Sequence, residues 1–321
     1  MENDKADIAS LKKGRYQVIT RIGTGGFGIT YLCVDLKADR LCAVKEYLPG
    51  CIVFRDPVTK TVIPRKGWER EYLHGLKRFW EEATLLRCLE SLPSMVKILD
   101  LFEEHRTAYY VMEYINGKTA RELMLEAGGK LAFEKALDIT LQSAAILGMV
   151  HRQAGILHRD VGPDNIMVLH DGTVRIIDFG NARQLPRQGE NPFYTVVLKP
   201  GFAPPEQYSG TGRQGSYTDV YALAGTFYFL CSGKRVPSVP ARLSGTQVLP
   251  LNRQVPECSQ RVSDAVDGGL VIDYRKRTQT MEAFAMQLTG ITMQKRTAGG
   301  QVDYRKKQET GRPGYNGIKR G

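Results

Sequence analysis

The strongest constraint on this fold is a predicted β-hairpin in the middle of the chain. Ile166-Met167-Val168 and Val174-Arg175-Ile176-Ile177 are short apolar segments typical of strands, and Asp171-Gly172 between them is a turn signal. A hairpin returns the chain to the place where it started. We therefore expect Asn165, just before the first strand, and Asp178, just after the second, to meet at its open end.

Polar residues flank this hairpin on both sides. His158-Arg159-Asp160 precedes Asn165, and Asp178-Phe179-Gly180 follows the second strand. Carboxylate and amide oxygens are the ligands that hard cations such as Mg²⁺ prefer. Asn165 and Asp178 are thus candidate metal ligands, with the Asp160 carboxylate nearby.

A glycine-rich segment near the N-terminus is a candidate phosphate-binding loop. Gly23-Thr24-Gly25-Gly26-Phe27-Gly28 lies between predicted strands, where glycines let the backbone close over phosphates and direct amides at them. A dinucleotide-binding turn has the same G-x-G-x-x-G pattern but opens onto a helix, whereas residues 29–34 continue as a strand. The next strand, residues 41–45, places Ala43 and Lys45 on one face.

Taken in order, these motifs resemble those of the eukaryotic-type (Hanks-type) serine/threonine protein kinase family. The resemblance covers about residues 16–288 and includes Pro204-Pro205-Glu206 and Asp273-Tyr274-Arg275-Lys276-Arg277. Pro163, after the loop aspartate, favours the serine/threonine branch. The resemblance implies an α+β, two-lobed protein kinase fold: a small antiparallel β-sheet lobe with one main helix, and a larger, mostly α-helical lobe.

The resemblance also implies a reaction, the transfer of the γ-phosphate of ATP to Ser/Thr hydroxyls of protein substrates, with autophosphorylation. Asp160 would accept or orient the proton of the attacking hydroxyl, and Lys45 would bind the α- and β-phosphates. Asn165 and Asp178 would hold Mg²⁺, with Mn²⁺ as an alternative.

Lys45 needs a carboxylate partner from the helix that follows in such a fold. Apolar residues recur at helical spacing at Leu73, Leu76, Phe79, Ala83 and Leu86. Glu82 lies on the inner edge of this face and is the predicted partner, and Glu81 is the alternative. Residues 49–67, between Lys45 and the helix, are predicted to be an inserted hairpin.

The remaining nucleotide contacts are carried over from the family pattern. Met112 would line the back of the adenine pocket, the Glu113 carbonyl and Ile115 amide would bind the adenine edge, and Met167 would close the pocket from below. The family has a valine where this chain has Thr30. The nucleotide-binding set is Ile22, Gly23, Gly25, Gly26, Phe27, Gly28, Thr30, Ala43, Lys45, Met112, Glu113, Ile115, Met167 and Asp178.

Three further features of the large lobe follow from the resemblance. Glu206 would pair with Arg277, and Asp219 would hold the backbone of the catalytic loop. Arg159 is in the position that receives an activation-segment phosphate. Thr195 is the first candidate for the phosphorylated residue and Tyr194 the second, and an unmodified loop is an equal alternative.

The chain departs from the family pattern at Gly162, where the family has a lysine that touches the γ-phosphate. That lysine also contacts a threonine just before the Pro-Glu motif, and Lys199 stands at the position of this threonine. Both members of a contacting pair differ. We therefore predict that Lys199 supplies the cation from the activation segment, and a plain solvent-facing Lys199 in a slow enzyme is the alternative.

Two other classes of function remain open from the sequence. A pseudokinase would bind nucleotide and signal as a scaffold, but Lys45, Glu82, Asp160, Asn165 and Asp178 are all present, which favours catalysis. A small-molecule phosphotransferase of related fold would share the loop aspartate and metal ligands but should lack the Pro-Pro-Glu closure.

Charge distribution sets the last residues of the sequence apart. Residues 291–321 carry eight Lys or Arg against two acidic residues, so they supply +6 of the net charge of +11. They contain no Leu, Phe or Trp and are predicted to be a basic disordered tail. Docking on an acidic partner, membrane surface or nucleic acid is the functional alternative. Without interleaved aromatic residues, a dedicated nucleic-acid site is not expected.

The predicted domains follow from these boundaries. Residues 1–14 form an N-terminal extension, 15–115 the small lobe, 116–290 the large lobe and 291–321 the tail. The six cysteines form no C-x-x-C pair, which is typical of reduced thiols in a cytoplasmic protein. No transmembrane segment is expected, because the longest apolar stretch, Val220 to Cys231, is too short.

Overall fold

The protein folds into a small β-rich lobe followed by a larger helical lobe. The computed structural model describes residues 8–26, 28–180, 182–184, 198–208 and 212–291. The predicted two-lobed α+β fold is confirmed. The cleft between the lobes lies beside the hairpin predicted at residues 165–178.

The small lobe is a six-stranded antiparallel sheet with one long helix and a separate two-stranded hairpin. The sheet order is β1-β2-β3-β4-β8-β7, and β5 pairs with β6. The elements are β1 (Ser10–Leu11), β2 (Tyr16–Gly25), β3 (Gly28–Asp35), β4 (Arg40–Tyr47), β5 (Val53–Arg55), β6 (Val62–Pro64), α1 (Glu69–Leu89), β7 (Ile98–Glu104) and β8 (Thr107–Glu113).

Part of the predicted N-terminal extension belongs to this sheet. Ser10 pairs with Gln17 and Leu11 with Tyr16, so β1 forms the edge of the sheet. Leu11 is fully buried and Ile8 nearly so, within a cluster on the outer side of the sheet. The extension therefore contributes apolar contacts to the small lobe from residue 8 onward.

The predicted insertion at residues 49–67 is present as the β5–β6 hairpin. Its Arg55 pairs with Glu46 of β4 at 2.5 Å between Nη2 and Oε1, and both side chains are buried. Glu46 also accepts hydrogen bonds from the hydroxyls of Tyr31 and Tyr109. This buried polar cluster fixes the hairpin to the sheet one residue after Lys45.

The helix α1 packs through a face that differs from the predicted one at its first turns. Phe79, Ala83 and Leu86 are buried as expected, but Leu73 is 63% exposed. Tyr72 is buried in its place and its ring stacks on Tyr47 at 5.3 Å between centroids. The prediction that Leu73 lies on the inner face is wrong, because Tyr72, seven residues before Phe79, occupies that face of the helix and packs on β4.

The large lobe consists mainly of helices around one central helix. Its strands form two small sheets, β12-β11-β9 and β10-β13. The elements are β9 (Gly117–Thr119), α2 (Ala120–Glu126), α3 (Phe133–Ala154), β10 (Ile156–Leu157), β11 (Ile166–Leu169), β12 (Val174–Ile176), β13 (Arg183–Gln184), α4 (Pro205–Tyr208), α5 (Ser216–Ser232), α6 (Val239–Leu243), a 3₁₀ turn (Leu251–Arg253), α7 (Gln260–Gly269) and α8 (Met281–Thr289).

The central helix α5 explains the apolar stretch noted in the sequence. Every residue from Thr218 to Cys231 is buried, against α3, α7 and α8. A helix that is apolar all round belongs to a protein core or to a membrane. Among the residues that the structure describes, no helix combines the length and the apolar character needed to cross a bilayer.

We predict that Arg55→Ala destabilises the protein by about 3 to 5 kcal/mol, because it leaves the buried Glu46 carboxylate without its cation. The measurement is the free energy of unfolding from urea titration. Arg40→Ala, at the exposed start of β4, is the matched control and should change it by no more than about 0.5 kcal/mol. A loss below about 1 kcal/mol for Arg55→Ala would show that the ion pair does not fix the hairpin.

Candidate functional site

The loop between β10 and β11, residues 158–165, is held from below by a buried carboxylate. Asp219 in α5 accepts hydrogen bonds from the amides of His158 at 2.8 Å and Arg159 at 2.7 Å. His151 in α3 approaches the same carboxylate at 2.8 Å through Nε2. Burial raises the pKa of Asp219, but the hydrogen bond to His151 and nearby positive charge outweigh this and lower it below its ordinary value. The carboxylate therefore stays ionised and fixes two consecutive peptide groups.

The loop itself is stabilised in an unusual conformation. Arg159 has a φ of 68°, in the left-handed region, which costs a non-glycine residue about 1 kcal/mol or more. Its carbonyl accepts a hydrogen bond from the Gln207 side chain, and its Nε donates to Gln214 Oε1 at 2.6 Å. Asn165 Nδ2 donates to the carbonyl of Asp160 at 2.8 Å. These bonds offset the backbone strain and direct the loop's polar side chains.

Lys45 lies between two carboxylates that come from different parts of the chain. Its Nζ is 2.9 Å from Glu82 Oε1 in α1 and 3.1 Å from Asp178 Oδ1. Glu82 also accepts a hydrogen bond from the Tyr110 hydroxyl, whereas the alternative partner Glu81 is exposed. Burial lowers the pKa of Lys45, but Asp178 and Glu82 together raise it well above its ordinary value. The lysine is held charged and aimed at the cleft.

Asp178 has a strained backbone conformation and a side chain that is partly exposed to solvent. Its φ is 62°, and its side chain is 45% exposed. The charge of Lys45 is the main cause that lowers its pKa to about 2, against the opposing effect of burial. At Gly180, a Cβ would lie 3.2 Å from Asp178 Oδ1 and 3.2 Å from Glu82 Oε2, which is a tight contact. A glycine there leaves both carboxylates room.

The hairpin brings the two candidate metal ligands together as the sequence predicts. Ile166 pairs with Ile176, and the amide of Ile177 donates to the carbonyl of Asn165 at 3.0 Å. Because the Asn165 amide nitrogen is engaged by the loop, its oxygen is the atom left for a cation. Within the described ranges, no group of three or more His, Cys, Asp or Glu could hold a metal. Any cation here would take its other ligands from phosphates and water.

The glycine-rich segment closes the cleft from the small lobe. A Cβ at Gly28 would lie 1.8 Å from the carbonyl oxygen of Glu46, so only glycine allows β3 to approach the end of β4 so closely. Gly25 and Gly26 have no heavy atom within 4 Å of a Cβ position and face open space. The backbone has the openness that a phosphate group requires, and Lys45 lies on the strand beneath it.

The strand register aligns the predicted nucleotide-binding residues. Thr30 in β3 is opposite both Gly23 and Lys45, and Ala43 in β4 is opposite Met112 in β8. Three others lie further along the strands or just beyond them. Ile22 is 45% exposed in β2, Glu113 ends β8 and Ile115 follows it. Met167 lies in β11, opposite Arg175 and Thr119.

Lys199 reaches the loop aspartate. Its Nζ is 2.9 Å from Asp160 Oδ1, and its carbonyl accepts hydrogen bonds from the amides of Phe202 and Ala203. Burial raises the pKa of Asp160 above its ordinary value, although Lys199 and His158 oppose this effect. The sequence prediction placed Lys199 at the γ-phosphate and did not include an ion pair between Lys199 and Asp160.

The predicted anchor of the large lobe is also present. Arg277 binds Glu206 through both nitrogens, at 2.6 Å from Nη1 to Oε1 and 3.1 Å from Nη2 to Oε2, and the pair is almost fully buried. The Thr218 hydroxyl donates to the same carboxylate at 3.0 Å. This pair connects α4, which ends the segment around Lys199, to the helical core.

Several predicted residues lie outside the described residues. They are Phe27 of the glycine-rich segment, Tyr194 and Thr195 of the activation segment, and residues 292–321 of the tail. Four other residues of the site were missed by sequence reasoning: His151, Tyr110, Gln207 and Gln214. Tyr110 could have been found, because strand alternation puts it on the same face as Met112. Gln207 and Gln214 contact the loop from distant elements, His151 contacts Asp219, and none of the three carries a local signal.

Comparisons with known proteins agree with this geometry. The model of the protein kinase domain family matches residues 16–289. Serine/threonine-protein kinase PknA of Nostoc sp. is 29% identical over 283 residues, which cover 85% of this chain and 46% of that protein. Serine/threonine-protein kinase C of Synechocystis sp. is 31% identical over 288 residues, covering 87% and 50%. The chain spans about half the length of these relatives.

Solved structures give the same result. The apo form of PpkA-294 has a TM-score of 0.74 and 30% identity, covering 89% of this chain and 100% of that one. The kinase domain of Mycobacterium tuberculosis PknI, with a TM-score of 0.65 and 22% identity, shows the same fold. The chain belongs to the protein kinase family, and these relatives are serine/threonine kinases.

Proposed function

We propose that this protein is a serine/threonine protein kinase, which transfers the γ-phosphate of ATP to hydroxyls of protein substrates and of its own chain. The observation that carries the proposal is the convergence of Lys45, Asp160 and Asp178 on one cleft. Each of these side chains has an ion-pair partner: Lys45 contacts Glu82 and Asp178, and Asp160 contacts Lys199. The serine/threonine kinases among its relatives support the choice of acceptor.

The residues on the two sides of the cleft have separate roles. Lys45, oriented by Glu82, binds the α- and β-phosphates. Asp160 orients the attacking hydroxyl and accepts its proton, and the raised pKa of this carboxylate makes it a better proton acceptor. Phosphoryl transfer needs mainly positioning and charge stabilisation, and both come from groups that the fold fixes in advance.

Asn165 and Asp178 are proposed to hold Mg²⁺, with Mn²⁺ as an alternative. Both offer oxygen atoms at the open end of the hairpin, and the low pKa of Asp178 keeps it ionised. The cation supplies charge neutralisation on the phosphates. Adenine is proposed to bind between Ala43 and Met167, against the backbone of residues 113–115.

The replacement of the catalytic-loop lysine by Gly162 is offset by Lys199 in this proposal. The contact between Lys199 and Asp160 supports it, because it brings the lysine charge to the edge of the same cleft. Lys199 then neutralises the γ-phosphate from the opposite side of the active site. The cation is present, but it comes from the segment that precedes Glu206.

Three expectations about domain boundaries, the basic tail and cellular location are also part of the proposal. The division between the lobes at residues 115 and 116, and the docking of the basic tail on an acidic partner or surface, are supported by the sequence pattern. A cytoplasmic location is supported by the cysteines that the structure describes as free thiols.

We predict that the purified chain, given labelled ATP and Mg²⁺, labels Ser or Thr residues of itself or of a general protein substrate. Asp160→Asn should abolish the label, because it removes the proton acceptor while keeping the shape of the side chain. Phosphoamino-acid analysis and a parallel nucleotide-binding titration are the measurements. Nucleotide binding without transfer would contradict the proposal and identify a pseudokinase.

We predict that Lys199→Ala lowers kcat by about 100-fold, the usual effect of losing one charge-stabilising group. The exposed Lys276→Ala in the same lobe is the control and should leave kcat unchanged. No heavy atom lies within 4 Å of a Cβ position at Gly162, so a side chain can begin there without a clash. The double variant Gly162→Lys with Lys199→Thr should regain most of the activity. Normal turnover by Lys199→Ala would refute the exchange.

We predict that Lys199→Met raises the pKa of Asp160 further above its ordinary value, because a cation that favours the carboxylate is removed. Lys199→Arg keeps the charge and should leave this pKa close to that of the unmodified protein. The measurement is a ¹³C NMR titration of the Asp160 carboxyl group without nucleotide. An unchanged pKa in Lys199→Met would show that the ion pair does not form in solution.

A further inference from the structure

A group of cations lies on the large lobe beside the catalytic loop, and no role described above uses it. Arg121 in α2 and Arg235 after α5 lie over the same Phe229 ring, at 5.4 Å and 5.9 Å from its centroid. Lys234 is adjacent and exposed. We call Arg121, Lys234 and Arg235 the basic shelf.

The basic shelf is attached to the catalytic loop through Asp164. Arg121 grips this carboxylate with two nitrogens, Nε and Nη2, the second at 2.9 Å from Oδ2. The amide of Arg121 also donates to the carbonyl of Pro163 at 3.1 Å. Asp164 follows the proposed proton acceptor Asp160 by four residues, so the shelf lies next to the site where the hydroxyl must be placed.

The other side of the basic shelf contacts the segment that carries Lys199. At Gly201, a Cβ would lie 3.3 Å from Arg235 Cβ and 2.8 Å from the carbonyl oxygen of Val236. Only Pro200 separates Gly201 from Lys199, whose ammonium group contacts Asp160. The shelf thus lies between the catalytic loop and the segment before Glu206.

The charge of the basic shelf is only partly balanced. Asp164 is engaged by Arg121, whereas Arg235 is exposed and forms no ion pair with any described residue. Burial raises the pKa of Asp164, but Arg121, Lys199 and Arg235 outweigh it and lower the pKa below its ordinary value. The surface is therefore cationic even with Asp164 ionised. Stacking on Phe229 holds the two guanidinium groups in place.

We propose that the basic shelf binds an acidic side chain of the protein substrate, a carboxylate or a phosphate, within about four residues of the phosphorylated hydroxyl. Arg121 contacts Pro163 and Asp164 in the loop that carries Asp160, and an extended chain advances about 3.3 Å per residue, so a few substrate residues can reach from Asp160 to the shelf. Guanidinium groups match the geometry of carboxylate and phosphate oxygens. This inference rests on the proposed kinase function and specifies its substrate class as acidic.

The test is a set of synthetic peptides with one serine, incubated with the full chain, ATP and Mg²⁺. The parent peptide has neutral flanking residues. Asp, phosphoserine or Lys replaces one of them at each position from four before the acceptor to four after it. We expect Asp at one or two of these positions to lower KM about fivefold, the upper range for an exposed ion pair, with kcat unchanged. Lys at the same positions should raise KM.

Two charge-reversal variants separate the basic shelf from charge elsewhere. Arg235→Glu should remove the preference for Asp and give one for Lys, with activity on the neutral parent peptide within about twofold. Arg275→Glu is the matched control, because Arg275 is also exposed and stacked on an aromatic ring, that of Tyr274 at 5.1 Å. It should leave the peptide preference unchanged. The preference should also weaken in high salt, as expected for exposed charges.

The outcomes distinguish this inference from the kinase proposal. Equal KM values for acidic and neutral peptides, or an Asp preference that survives Arg235→Glu, would overturn the inference while leaving the kinase function intact. A complete lack of transfer to every peptide and to the chain itself would overturn both. If phosphoserine lowers KM and Asp does not, the inference holds and the substrate is one that has already been phosphorylated. If both lower KM equally, the inference holds and the substrate is acidic without prior phosphorylation.

Discussion

The buried Asp219 carboxylate is the interaction on which the rest of the site depends. It accepts hydrogen bonds from two consecutive amides of the loop that carries Asp160, and it is paired with His151 from a second helix. Removing such a carboxylate would leave backbone donors unsatisfied in a dry core, which costs about 1 to 3 kcal/mol for each. The Arg159 amide, next to the strained φ of that residue, is one of these two donors, so the same carboxylate stabilises the loop in its strained conformation.

The small-lobe side of the cleft is organised differently, by the charge of one lysine whose two carboxylate partners come from other elements. Lys45 belongs to β4, Glu82 to α1 and Asp178 to the segment after β12. Ion pairs alone define such a geometry poorly, since burial opposes the charged state. The rings of Phe79 and Tyr110, 4.9 Å apart, pack α1 against the sheet. Packing sets the position of the helix, and the lysine then couples the two lobes.

The sequence predicted the parts of this arrangement that depend on local periodicity. The strand Arg40–Tyr47 and the hairpin at Asn165 follow from alternation and a turn signal, and both are present. The burial of Tyr72 instead of Leu73 was missed, although Tyr72 lies seven residues before Phe79 and so on the same face of the helix. Arg55 with Glu46 and His151 with Asp219 could not be predicted, because these residues meet only after the chain has folded. Local pattern finds elements, while long-range polar pairing has no periodic signal.

The position of Lys199 changes how the site can be assembled. A cation at residue 162 would be fixed by the same loop as Asp160, and it would be present whenever that loop is formed. Lys199 instead lies in a segment that is connected to the core through Glu206 and Arg277 and that touches Arg235 through Gly201. The charge beside Asp160 then depends on this segment, whereas the basic shelf belongs to α2 and to the residues after α5. A rearrangement of residues 198–203 would move Lys199 away from Asp160 and Gly201 away from Arg235 at the same time, so this segment links the proposed transfer chemistry to the proposed substrate surface.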